Sequence, residues 1–443
     1  MTMKDTRKYK QTELGLLPED WEVAKLGEKF RFISNNTFSR DFLCEDGEIK
    51  NIHYGDVLIK YGSTLDVSQS DIPTINSELL PSYQPKCFAE DGDIIIADTA
   101  EDETVCKATE LWNIGGKRVV AGLHTMWCRP AQNTFAIKFL GYFMNTSLYH
   151  NQVLPLIQGI KVSSVSKSAI QGTWLCIPPI EEQRRIASAL TCIDNLIDSL
   201  DRLIAKKRDI KQGAMQQLLS GKKRLKGFTD KWETLLFKDI FTFLTTNTFA
   251  RELLNIKGEI KNIHYGDILT NYCEILDVSK TDLPYIDSNK VTRYHPVILA
   301  KDGDIIIADT AEDEIVCKAT EIYNIGNAKV VSGLHTMWCR PKNNIFAPKF
   351  LGYYINSSMF HDQILPLIQG IKVSSVSKNS IKNTWISFPT ISEQQAIASV
   401  LTSMDNALSA LETKRKKYEQ IKQGMMQQLL TGRIRLENAS MVH

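Results

Sequence analysis

One chain repeats itself almost end to end. Nineteen residues, GDIIIADTAEDETVCKATE from Gly92, recur as GDIIIADTAEDEIVCKATE from Gly303, 211 positions later. At the same offset NIHYGD (Asn51 to Asp56) falls on Asn262 to Asp267, and LPLIQGIKVSSVSK (Leu154 to Lys167) falls on an identical Leu365 to Lys378. KQGAMQQLLSG (Lys211 to Gly221) matches KQGMMQQLLTG (Lys422 to Gly432), and no gap is needed anywhere. Between Gly92 and Pro130, 32 of 39 positions are identical in the second copy. This period is far above the roughly 20 to 50 residues of solenoid and propeller repeats, so each copy is a domain-sized unit. The chain is a tandem duplication, and both copies must solve the same folding problem.

With 443 residues there is room for two cores. The chain is 43% hydrophobic and 23% charged, with no 18-residue apolar run and no signal peptide at MTMKDTRKYK, so a cytoplasmic protein with no membrane association is expected. Nine cysteines without a C-x-x-C pair fit reduced thiols, and the recurrence of Cys106 and Cys128 as Cys317 and Cys339 fits core packing. A net charge of +2 argues against coating nucleic acid by bulk electrostatics. Any DNA contact must be local. The basic run Lys206, Lys207, Arg208, Lys211, then Lys222, Lys223, Arg224 and Lys226 reads as a solvated helix end, where cations are favoured.

Each copy divides into a longer part with strand signals and a shorter helical part. DVLIKY, DIIIAD, RVVAGLHTMWC and GTWLCIP are rich in β-branched and aromatic residues and read as strands, while FAIKFLGYFMNTSLYHNQVL reads as helical. The expected class is mixed α/β, with segments 1–180 and 222–391 as globular domains, long helices over 181–221 and 392–436, and a tail over 437–443. In the first helix Ile186, Leu190, Ile193, Ile197, Leu200 and Ile204 alternate steps of four and three, a heptad seam. The second keeps it with Ile397, Leu401, Met404, Leu408 and Leu411 and interrupts it at Arg415. Pro178 and Pro179 mark one start, Thr390 with Glu393 offers a capping box at the other, and Gly221 and Gly432 stand at the C-terminal ends. Two such seams bury each other most simply as an antiparallel pair, with the globular domains related by a pseudo-dyad, a geometry suited to reading two like sites on double-stranded DNA.

The segments LGLLPEDWEVAKLGEKF (Leu14 to Phe30), IPPIEEQRRIASALTCID (Ile177 to Asp194) and MQQLLSGKKRL (Met215 to Leu225) carry a family resemblance, as do their second-copy equivalents GFTDKWETLLFKDIF, FPTISEQQAIASVLTSMD and MQQLLTGRIRL. Together, across the whole chain, they resemble the specificity subunit of type I restriction-modification systems. The resemblance implies two target-recognition domains, each followed by a long helix, with the helices forming an antiparallel coiled coil that sets the gap in a split DNA target. It also implies docking of two methyltransferase (modification) subunits that use S-adenosylmethionine to methylate adenine, and of restriction/translocase subunits that use ATP and Mg²⁺. The chain itself is then non-catalytic and without a cofactor of its own. Recognition domains in such subunits usually differ, whereas here they are close copies, so an interrupted, near-palindromic target is expected. Lys60 against Asn271, Ser63 against Glu274 and Gln69 against Lys280 are differences that break the symmetry if they lie on the DNA face. A stand-alone DNA-binding regulator is the alternative.

No methyltransferase N-P-P-Y motif and no phosphate-binding glycine loop is present. GEIK (Gly47 to Lys50 and Gly258 to Lys261) resembles the E-x-K triplet of Mg²⁺-dependent nucleases, but a turn with flanking charges is the simpler reading. The acidic run Asp98, Glu101, Asp102, Glu103 recurs as Asp309, Glu312, Asp313, Glu314 and reads as a solvated loop, with a carboxylate available to cytosine N4. For DNA contact the repeated polar residues near turns are the candidates. Lys161, Ser163, Ser164 and Lys167, with Lys372, Ser374, Ser375 and Lys378, suit phosphates, or alternatively a helix cap and a solvated lysine. His53 and Tyr54, with His264 and Tyr265, suit a base and a sugar, against a satisfied core histidine. Arg40 and Arg251 offer forks for guanine O6 and N7, and Lys50 and Lys261 suit phosphates.

Overall fold

In a computed structural model the described residues are all but 1–7, 77, 80–82, 160, 292–293, 295, 313–314, 371–372 and 437–443. Lys372, Asp313, Glu314 and the expected tail therefore lie outside the described residues. The chain forms two compact units, residues 1–201 with 414–443, and residues 202–413.

In the first unit a five-stranded sheet has the order Phe30–Ile33, Thr125–Pro130, Ile94–Ala97, Ala108–Trp112, Thr64–Asp66, antiparallel except for its last pair. A four-stranded sheet runs Arg118–Ala121, Ile49–Ile52, Thr74–Ile75, Leu43–Cys44, with Arg118–Ala121 parallel to Ile49–Ile52. Ile94–Ala97 reads as an unbroken apolar run because it is central and buried on both faces. Ile94 and Ile96 pack with Phe139, Phe143 and Tyr149 from the helices Phe139–Met144 and Ser147–Val153, while Ile95 and Ala97 pack with Val57 and Trp127 on the other side. The second unit repeats both sheets, with Ile305–Ala308 as the central strand.

Most of the expected strands form. DVLIKY does not: Tyr54–Ile59 is a helix. His53 supplies the reason, because its Nδ1 accepts a hydrogen bond from Gly55 N at 3.2 Å and caps the helix. The cap and the burial of Asp56 and Val57 outweigh the strand preference of the run. Tyr265–Thr270, capped by His264, repeats this. Cys106 and Cys317 are buried as expected, their thiols pushed up to about 12 by that burial.

The long helices are Ile180–Leu218 and Ile391–Leu429, 39 residues each, about 58 Å at 1.5 Å per residue. Inside each unit they run antiparallel. In the first, Asp194 meets Lys422 at 2.6 Å and Asp201 pairs with Arg415. In the second, Lys211 meets Asp405 at 2.6 Å and Arg208 meets Glu412 at 2.5 Å. Ile186, Leu190, Ile197, Leu200, Ile204, Ile397, Leu401 and Leu408 are buried in the seam, while Ile193, Met404 and Leu411 are half-buried at its margin. Each helix also ends in the core of the unit it does not begin in. Leu429 and Leu430 pack with Leu17 and Trp21, and Met215, Leu218 and Leu219 pack with Phe237 and Ile240. Gly432 (φ +68) closes that end, where an added Cβ would lie 2.5 Å from Pro18 Cδ.

Two further expectations need correction. Glu393 does not close a capping box, because Arg224 takes both its oxygens at 2.5 Å and the carboxylate is 1% exposed. The basic run is also less solvated than expected: Lys211 sits between Glu274 (2.8 Å) and Asp405 and has an amine pKa raised above the usual lysine range by those carboxylates against the opposing effect of burial. Helix periodicity identifies which face is apolar, but not which carboxylates another segment brings to it.

Candidate nucleic-acid interface

The ends of three strands converge in each copy. The register pairs Thr125 with Ala97, and Asp98 N donates to His124 O at 3.1 Å, so the residues just outside that pairing, Asp98 and His124, are neighbours. Gly122 N donates to Ile52 O at 2.9 Å, which brings the end of Ile49–Ile52, and therefore His53 and Tyr54, to the same place. A short ribbon, Thr99–Ala100 paired with Ser163–Ser164, extends the edge, and Val165 N donates to Asp98 O at 3.1 Å. The Tyr54 ring lies tilted against His53 with centroids 4.7 Å apart, and edge-on to His124 at 5.3 Å. Burial, and then the Arg40 charge, holds the His53 imidazole below its usual 6.5, so the ring is neutral at pH 7 and free to accept at Nδ1.

The cluster is rigidly backed. Asp93, 1% exposed, accepts from Trp127 Nε1 at 2.8 Å and from Arg129 Nε and Nη2 at 2.7 Å each. Asn35 Nδ2 donates to Gly122 O and Thr125 O at 3.0 and 2.9 Å and pins the turn that carries His124. Asp304, Trp338 and Arg340 repeat the first arrangement in the second copy.

The sequence-derived candidates divide in two. Tyr54, His53, Ser163 and Ser164, with Tyr265, His264, Ser374 and Ser375, are brought together at the strand ends. His53 and His264 are helix caps with one nitrogen already used. The guanidinium forks of Arg40 and Arg251 are engaged by Asp56 (2.9 and 2.8 Å) and Asp267 (2.8 and 2.5 Å), which anchors the loop before the strand to the capped helix. Lys161 is exposed at the tip closed by the Gln158–Ser164 bridge. Lys167 and Lys378 begin short helices capped by Ser166 and Ser377, and Lys167 Nζ lies 4.6 Å over the Phe32 ring. Lys50 and Lys261 are apart from the cluster: the charged neighbours of Lys50 are Lys117, Asp71 and Lys60, and Lys261 Nζ lies 5.8 Å over Tyr285. Burial, then Lys117, lowers the Lys50 pKa.

The sequence reading missed His124 and Thr99, with His335 and Thr310. The signal was the GLHT turn inside RVVAGLHTMWC, identical in both copies but read as one continuous strand. For the nuclease-like triplets, Glu48 pairs with Arg118 at 3.3 Å and Glu259 with Lys329, and no group of three His, Cys, Asp or Glu among the described residues is placed to hold a metal ion. No helix among the described residues is long and apolar enough to cross a membrane.

The family model of the type I restriction modification DNA specificity domain matches twice, over residues 18–206 and 229–423, once in each copy. The chain belongs to this type I restriction-modification DNA specificity family. Among similar family members are the putative type I restriction enzyme MjaX specificity subunit of Methanocaldococcus jannaschii, 24% identical with 97% of each chain covered, and the MjaVIII specificity subunit of the same organism, 22% identical with 95% of each covered. The fold is that of solved type I chains. One, from work on complex assembly and conformational transition of a type I system, has a TM-score of 0.58 at 16% identity, covering 94% of this chain and 99% of that one. The S subunit from M. genitalium has a TM-score of 0.52 at 11% identity, covering 97% and 98%. As a family member the chain is a DNA-specificity subunit, and a stand-alone regulator is not favoured.

Proposed function

We propose that each globular region reads one half of an interrupted, near-palindromic DNA target through its strand-end cluster, and so directs adenine methylation or restriction by partner subunits. The carrying observation is that the cluster is the same in both copies: His53, Tyr54, Asp98, Thr99, His124, Ser163 and Ser164 recur as His264, Tyr265, Asp309, Thr310, His335, Ser374 and Ser375. The residues that differ between the copies have charged or polar partners of their own. Lys60 Nζ donates to Asp71 O at 2.7 Å, Glu274, which replaces Ser63, is paired with Lys211, and Lys280, which replaces Gln69, lies 3.5 Å from Asp277. Serine hydroxyls, exposed lysines and local backbone N–H groups suit phosphates, and the rings and the carboxylate suit base edges and sugars.

The globular segments 1–180 and 222–391 act as the recognition domains and the two long helices as the spacer that sets the gap. Two methyltransferase subunits bring S-adenosylmethionine, and restriction subunits bring ATP and Mg²⁺, which leaves this chain the single task of choosing the sequence. Sequencing of methylated adenines in the native genome, against a strain lacking the chain, tests the reading. An interrupted motif with matching inverted halves should lose methylation. Unchanged methylation, or two unrelated halves, refutes it.

A further inference from the structure

His124 neither caps a helix nor fills the core, and yet it is held in a costly conformation. Its φ is +54°, in the left-handed region, which costs a side-chain-bearing residue roughly 1–2 kcal/mol. The side chain is 48% exposed and fixed on three sides: Tyr54 meets the ring edge-on at 5.3 Å, and Nδ1 lies 3.4 Å from Thr99 Oγ1 and 3.7 Å from Asp98 Oδ1. The Thr99 hydroxyl donates its hydrogen to Asp98 Oδ1 at 2.8 Å. Thr99 therefore has only lone pairs to offer, so the tautomer that satisfies this contact places the hydrogen on Nδ1 and leaves Nε2 as the acceptor that faces outward. The second copy repeats every part, with His335 at φ +52°, Tyr265 at 5.2 Å, Thr310 at 3.5 Å and Asp309 at 3.7 Å, and with Thr310 donating to Asp309 at 2.8 Å.

We propose that His124 and His335 are specificity-determining residues, one per half-site, whose Nε2 accepts a hydrogen bond from the exocyclic amino group of an adenine or cytosine in the major groove. Asp98 with Thr99, and Asp309 with Thr310, are positioning residues that set the tautomer. The proposal rests on the reading of the strand-end cluster as the DNA interface. Major-groove amino groups are donors that only an acceptor can match, and a buried acceptor facing the wrong base edge is left unpaired.

The test uses the full chain with its modification subunits and a randomised duplex pool. At a left-handed φ glycine is the unstrained residue, so His124→Gly and His335→Gly remove the ring without disturbing the turn. His124→Gly should flatten one position in one half of the selected sequence, His335→Gly the symmetry-related position, and the double variant both, with melting temperature unchanged. At that position, replacing adenine by purine, or cytosine by 2-pyrimidinone, removes the amino group and should weaken the parent protein roughly tenfold, the scale of one lost base-edge contact. It should leave the glycine variant unaffected. A uniform loss over all positions, or equal weakening of both proteins by the analogue, overturns the assignment. Ser164→Asp with Ser375→Asp separates the two claims: if these abolish binding while the histidine variants change no position, only the histidine assignment fails. If all are silent, the strand-end interface itself fails.

Discussion

Asp93 and Asp304 set the stability of each recognition region at the level of a single side chain. Each is 1% exposed and satisfies a tryptophan and an arginine at once. Asp93→Ala should cost roughly 3–5 kcal/mol, because it leaves Arg129, itself 7% exposed, as a buried charge without its main partner. Denaturant titration of the full chain measures this, and a loss below 1 kcal/mol contradicts it. His53 makes a pH-dependent contribution. Its folded pKa is depressed, chiefly by burial, so its stabilisation is present above the usual 6.5 and is lost as pH falls below that value toward the folded pKa. His53→Asn with His264→Asn, which keeps a capping side chain, should flatten the stability profile between pH 7 and the acid side, as followed by thermal melting.

At the scale of elements, the hairpin tip and the helix seam are separable. Gly159 has φ +106°, and a Cβ there would lie 2.0 Å from Val162 O, so Gly159→Ala must deform the tip that presents Lys161 and Ser163. DNA affinity should fall about tenfold or more while the melting temperature barely moves, since the tip buries little; parallel binding and melting experiments decide. Leu401→Ala acts the other way. Leu401 is fully buried in the second unit, and its truncation should cost about 2–5 kcal/mol without altering which bases are selected. Arg415 stands where the first copy has Ile204 and pairs with Asp201 and Glu419, so the seam of the first unit carries a polar layer that the heptad alone would not require.

For the whole molecule, helix length should govern the gap between half-sites. Four residues inserted into the first long helix add about 6 Å, one to two base-pair steps at roughly 3.4 Å. Methylated-adenine sequencing should then show the same two halves with a wider gap, and an unchanged gap removes the helices as the ruler.

The duplication, the alternation of strand and helix signals and the heptad seam were legible in the amino-acid order because repeats and periodicity are local properties. Tyr54, Ser163 and Ser164 sit in repeated motifs next to turns, and the fold brings them together at the strand ends. What the order of residues could not convey is which strand ends meet. The register of Thr125 against Ala97 and the bond from Gly122 N to Ile52 O assemble residues from three distant segments, and so made His124 a neighbour of Asp98 and Tyr54. The same holds for Lys211 and Glu393, whose charges are bound by partners far along the chain, and for Arg40, whose fork is taken by Asp56 on the helix that stands where the DVLIKY strand was expected. Long-range pairing is decided by burial and by the need of every buried polar group for a partner, and those are properties of the tertiary structure alone.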